Sequence, residues 1–122
     1  MMAEEPIVDM QQLLDNVGGD ENLANMLLAR MRQDMPQRMA EIRAALANGD
    51  CETAHASTHP LKGGLASIRA SEAQSVARLI DDAARDGDLE TARSLMSQLE
   101  EAIDRLDGFI KEQTNPSLSA GR

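Results

Sequence analysis

The chain's two histidines, His55 and His59, stand four residues apart, with Lys62 and Gly63 three and four residues after His59. On an α-helix those spacings put all four on one face, with Lys62 and Gly63 as immediate neighbours of His59. An exposed imidazole at neutral pH offers a nucleophilic ring nitrogen without help from a separate base. If that nitrogen takes up a phosphoryl group, an ammonium one turn away balances the added charge. A glycine beside it leaves space for the group and for an approaching partner. Gly63-Gly64 inside a helix costs about 1 kcal/mol per residue relative to Ala, so the helix is expected to be making room for something. An exposed His, Lys and Gly are also ordinary helix surface. Spacing alone does not separate the two readings.

The same histidines allow a second chemistry. Cys51, His55 and His59 form an i, i+4, i+8 ladder, and two histidines four apart on a helix can chelate zinc. No Glu follows the first histidine, and a fourth ligand would have to come from another helix. No metal site is therefore expected, and Cys51 reads as a small residue near a helix start. There is no Gly-rich phosphate loop and no Gly-x-Ser-x-Gly elbow. The carboxylates Asp81, Asp82, Asp86, Asp88, Glu100 and Glu101 read as solvated or capping groups on helix surfaces and ends.

The elements that must position these residues are helical. Asp9 caps a short first helix carrying Met10, Leu13, Leu14 and Val17, and Gly18-Gly19 ends it. Asp20 caps a second, whose apolar stripe runs Leu23, Met26, Leu27, Met31, Met35, Met39, Ile42, Ala45 and Leu46. Pro36 in its middle predicts a kink. Asn48-Gly49-Asp50 stops that helix and caps a third, from Cys51 to about Arg69. Its core side is Ala54, Thr58, Leu61, Leu65 and Ile68, and the opposite side holds His55, His59, Lys62, Gly63 and Ala66. Ser71 is the expected cap of a fourth helix with the stripe Ala73, Val76, Ala77, Ile80, Ala83 and Ala84. Asp86-Gly87-Asp88 leads into a fifth, whose apolar residues run from Leu89 to Ile110. The expected fold is all-α, an antiparallel up-down-up-down four-helix bundle with a short additional N-terminal helix. Residues 1–6 read as an N-terminal extension, 7–112 as the bundle domain and 113–122 as a flexible tail.

Composition narrows the partners. With 122 residues the chain is one domain's worth. A net charge of −9 disfavours phosphate backbones and anionic lipid, so neither nucleic acid nor membrane is an expected partner. One Phe and no Trp or Tyr exclude aromatic stacking platforms, and the eight Met residues are expected to fill the core instead. A single cysteine fits a reducing compartment. No apolar run is long enough for a membrane span, and the first residues show no signal-peptide pattern, so a cytoplasmic monomer is expected.

His59-Pro60-Leu61-Lys62-Gly63 resembles the H-x-L-K-G motif of histidine-containing phosphotransfer (HPt) domains, the carriers of two-component phosphorelays. Asp34-Met35-Pro36 with Ile42-Arg43-Ala44-Ala45-Leu46 is similar to the family's second helix. The stretch from Leu79 to Asp88 is similar to its fourth helix and following turn. The resemblance covers roughly Ile7 to Ile110. It implies that His59 carries the phosphoryl group, that Lys62 stabilises it and that Gly63 gives it access. It implies a partner too: the receiver domain of a response regulator or hybrid histidine kinase, docking around His59 and Ala66. Magnesium belongs to that receiver, so no cofactor of the chain's own is implied. The product would be a phosphocarrier with no ATP site, not an enzyme. A docking module that no longer takes phosphate is the alternative, and a His55/His59 metal bundle a further one. His55 reads as a neighbour that tunes His59. The chain departs from the family pattern at Pro60, which predicts a helix that kinks or begins anew near His59. It departs again at Arg69-Ala70, where Arg69 takes a different cap or turns its charge to the partner. Met31 or Met35 replaces a frequent Phe, predicting a softer core.

Overall fold

A computed structural model describes residues 6–114. Five helices follow in order: α1 (Met10–Asn16), α2 (Glu21–Ala47), α3 (Cys51–Ser67), α4 (Ser71–Arg85) and α5 (Leu89–Thr114). From α2 onward each helix packs on the next, and α5 closes the ring against α2. Turns of three residues force consecutive helices antiparallel, which gives the expected bundle. α1 lies at one end, where the Asp9 N–H donates to the Arg69 carbonyl at 3.0 Å. The expected domain lies within the described residues, but α5 runs on to Thr114 and takes Gln113 and Thr114 out of the expected tail. The remainder of that tail, 115–122, and residues 1–5 of the extension lie outside the described residues.

Four aspartates start helices as expected. The carboxylates of Asp9, Asp20, Asp50 and Asp88 accept from the N–H groups of Gln12, Leu23, Thr53 and Thr91, each satisfying a donor the helix start leaves free. Ser71 does not act as a cap. Ala70 holds that position with no side-chain bond; it is buried in the core, and its N–H closes the preceding turn on the Leu65 carbonyl. The left-handed residue of this turn is Arg69, at φ 62°, where the neighbouring turns use Gly49 and Gly87.

The core is leucine, isoleucine and alanine more than methionine. Met35 and Met39 are buried, Met10, Met31 and Met96 pack at its margin, and Met26 is exposed. On α2 the stripe shifts from expectation over the first two turns, where Ala24 and Leu28 are buried and Leu23, Met26 and Leu27 are exposed. Ala24, Leu28, Met31, Met35, Met39, Ile42 and Leu46 then keep steps of three and four straight through Pro36. Neither proline breaks its helix: α2 is continuous through Pro36 and α3 through Pro60. Both prolines occupy exposed positions, so the carbonyl that each leaves without a donor can turn to water.

Candidate functional site

Continuity through Pro60 keeps His55, His59 and Lys62 in helical register along one edge of α3. That edge lies against α4, not wholly in solvent. What it meets there is Asp81, a carboxylate only 2% exposed. His55 Nδ1 is 2.5 Å from Asp81 Oδ1, His59 Nδ1 is 3.2 Å from Oδ2, and Lys62 Nζ is 2.9 Å from the same Oδ2. The burial of these donors is graded. Lys62 is 25% exposed, His55 37% and His59 63%, so His59 presents most of its ring to solvent. Asp81 therefore corrects the expectation that it is a solvated surface group. The sequence signal lies in its position, four after Ala77 and three before Ala84, inside the apolar stripe of α4.

Burial is the largest influence on the Asp81 carboxyl and acts to raise its pKa. The hydrogen bonds from Lys62, His59 and His55, with the charge of Lys62, together outweigh it and hold the group below its ordinary value. An ionised carboxylate only accepts hydrogen bonds. Each Nδ1 that meets Asp81 is then the protonated nitrogen, and the lone pair of His59 is left on Nε2. The site thus offers an exposed ring in a fixed tautomer, with a nucleophilic nitrogen facing away from its anchor.

The two glycines differ. A Cβ on Gly63 would meet nothing within 4 Å, whereas one on Gly64 would stand 2.6 Å from Met31 Cε. Gly64 makes room for the packing of α2 on α3, and Gly63 alone keeps the surface open beside His59. Ala66 is exposed on the same face. Arg69 is not part of this group. With the Asn16 amide oxygen turned to accept, the Arg69 Nε and Nη2 lie 3.0 and 2.9 Å from it, which ties the guanidinium to α1.

Of the ladder Cys51, His55 and His59, only the histidines join the cluster, and the third possible metal donor is Asp81. One donor atom from each of His55, His59 and Asp81 falls within 4.8 Å of the others. Lys62 Nζ already occupies one oxygen of that carboxylate.

A family model for the Hpt domain matches residues 26–109, most of the chain. The chain belongs to the Hpt domain family. Its function is histidine phosphotransfer in phosphorelay signalling. The stretch matched to the Hpt domain contains all of α3 and α4, and with them the whole histidine–aspartate–lysine cluster. Among solved structures, the chain is similar to histidine-containing phosphotransfer protein B (HptB) from Pseudomonas aeruginosa PAO1, at 24% identity and a TM-score of 0.82. The match covers 91% of this chain and 96% of that one. That likeness gives the Hpt fold. No curated protein matches the sequence. Among the described residues of this Hpt domain no helix is long and apolar enough to cross a membrane.

Proposed function

We propose that His59 is the phosphoacceptor, exchanging a phosphoryl group with a receiver-domain aspartate. The observation that carries this reading is the bond from His59 Nδ1 to the buried Asp81, in a ring that is 63% exposed. His59 Nε2 attacks the phosphorus of the receiver's acyl phosphate. The N–P bond forms as the P–O bond to the aspartate breaks, and the aspartate leaves as a carboxylate. The ring keeps its Nδ1 proton and becomes cationic, and Asp81 stands ready to stabilise that charge. The reverse step returns the group and restores the neutral ring.

The other residues support that exchange. Lys62 holds Asp81 ionised and adds positive charge beside the transferred group. Gly63 and Ala66 let the receiver approach closely, and His55 shares the Asp81 anchor and so tunes His59. Magnesium is supplied on the receiver side, and the chain works as a cytoplasmic carrier without an ATP site or cofactor of its own. A second reading, a metal held by His55, His59 and Asp81, has the donor spacing in its favour and the Lys62–Asp81 pair against it. Calorimetric titration with zinc separates the two: tight binding supports the metal, and its absence removes it. The main test is transfer of label from a phosphorylated receiver. Wild type takes up label, and His59→Gln takes up none while unfolding at the same denaturant concentration. Equal labelling of His59→Gln would move the acceptor elsewhere.

A further inference from the structure

The charges around His59 leave one negative charge unanswered after phosphorylation. A phosphoryl group brings roughly two negative charges at neutral pH. The cationic ring and Asp81 cancel each other, and Lys62, 2.9 Å from Asp81, offsets one of the two at most. A further cation is needed within reach, and α4 holds one.

Arg78 is exposed. The other arginines among the described residues are engaged: Arg32 with Asp107, Arg43 with Glu100 and Arg105 with Glu72, for example, across helix seams, Arg93 on the Leu46 carbonyl and Arg69 on Asn16. Arg78 alone among them makes neither an ion pair nor a hydrogen bond to the described residues. It lies three residues before Asp81, so it is one turn away and on the adjoining face of α4. Because α4 runs antiparallel to α3, that step leads from Asp81 toward the Lys62-Gly63 end of the cluster. On that edge of α3 the residue one turn past Lys62 is Ala66, exposed and carrying only a methyl side chain.

We propose that Arg78 binds the oxygens of the phosphoryl group on His59, its planar fork reaching across from α4 beside Lys62. The proposal rests on His59 being the acceptor, and the test separates the two. Potassium phosphoramidate loads the isolated protein without any partner: Nε2 forms the new N–P bond as the reagent's P–N bond breaks and ammonia leaves, while the ring keeps its Nδ1 proton. Phosphorus NMR then follows the titration of the bound phosphoryl group and its rate of loss.

In Arg78→Ala the midpoint of that titration rises by about 0.5–1 pH unit, since a neighbouring cation favours the dianion. The phosphohistidine lifetime shortens severalfold, Arg78→Lys falls between, and the unfolding curve does not move. An unchanged midpoint and lifetime in Arg78→Ala overturns the proposal. So does slower transfer from a receiver with the midpoint unchanged, because Arg78 would then be contacting the partner and not the phosphoryl group. If His59→Gln gives the same phosphorus signal as wild type, the acceptor assignment itself fails, and Arg78 with it.

Discussion

The α2–α5 seam and the α3–α4 seam both carry charge across helices, and they are built in opposite ways. Between α2 and α5, Arg32 meets Asp107 at 2.8 Å and Arg43 meets Glu100 at 2.9 Å, with every partner at least 41% exposed. Between α3 and α4, one carboxylate that is 2% exposed takes three donors at 2.5 to 3.2 Å. The distances are alike, and the surroundings are not. Exposed pairs are screened and contribute little. A buried carboxylate must be matched or it destabilises the fold, so its donors are held in place. Short contacts therefore do not mark the functional seam. The buried anchor does, because it alone can fix a tautomer and an orientation for the ring above it.

Removing that anchor has the largest expected effect. Asp81→Asn leaves Lys62 and two imidazole N–H groups facing an amide that can accept from only part of them. A lost partner in a buried pair costs about 3–5 kcal/mol, and partial exposure of Lys62 brings the expected loss here to about 2–3 kcal/mol in urea unfolding. A loss no greater than that of an exposed pair would mean that water already serves Lys62. Acid sharpens the point. The Asp81 carboxyl is held below its ordinary value of 3.8, so its contribution is complete above that value and disappears as the pH falls through the lowered one. The stability gap between wild type and Asp81→Asn should be wide above pH 3.8 and close below it. A gap that persists undiminished in strong acid would assign the effect to packing instead of charge.

Most of the frame was legible because it is written in local signals. Asp9, Asp20, Asp50 and Asp88 announce helix starts by capping, and the three-and-four spacing on α3, α4 and α5 gives the buried faces. The face holding His55, His59, Lys62 and Gly63 followed from the same angular step. Asp81 was not legible in that way. A carboxylate beside Asp82 looks like surface until α3 is known to supply three donors from 19 to 26 residues away. For Arg69 the first of the two expected roles holds, a different cap with a left-handed backbone, while its charge turns to Asn16 of α1. The prolines leave both helices continuous, so α3 does not begin anew near His59. A proline costs a helix most where the freed carbonyl is buried, and Pro36 and Pro60 are both exposed.

A smaller effect separates the adjacent glycines. Gly63→Ala adds a Cβ into open space and should stabilise the protein by about 0.5–1 kcal/mol through helix propensity, while slowing phosphoryl transfer. In Gly64→Ala the new Cβ displaces the end of Met31, which offsets most of the same gain and leaves transfer near wild type. Measuring unfolding and transfer on both variants tests the division. Equal transfer rates would mean that Gly63 does not guard access to His59.

The smallest effect belongs to the exposed seam. A double-mutant cycle on Arg43 and Glu100 should give a coupling of about 0.2–0.5 kcal/mol that shrinks as salt is added, because two long side chains lose freedom to form a screened pair. Neither substitution should touch phosphoryl transfer, since both residues lie on the side of the bundle formed by α2 and α5, away from the α3–α4 cluster. A coupling as large as the loss in Asp81→Asn, or one insensitive to salt, would show that burial is not what distinguishes the two seams. Asp81 would then differ from the exposed carboxylates only in its three donors.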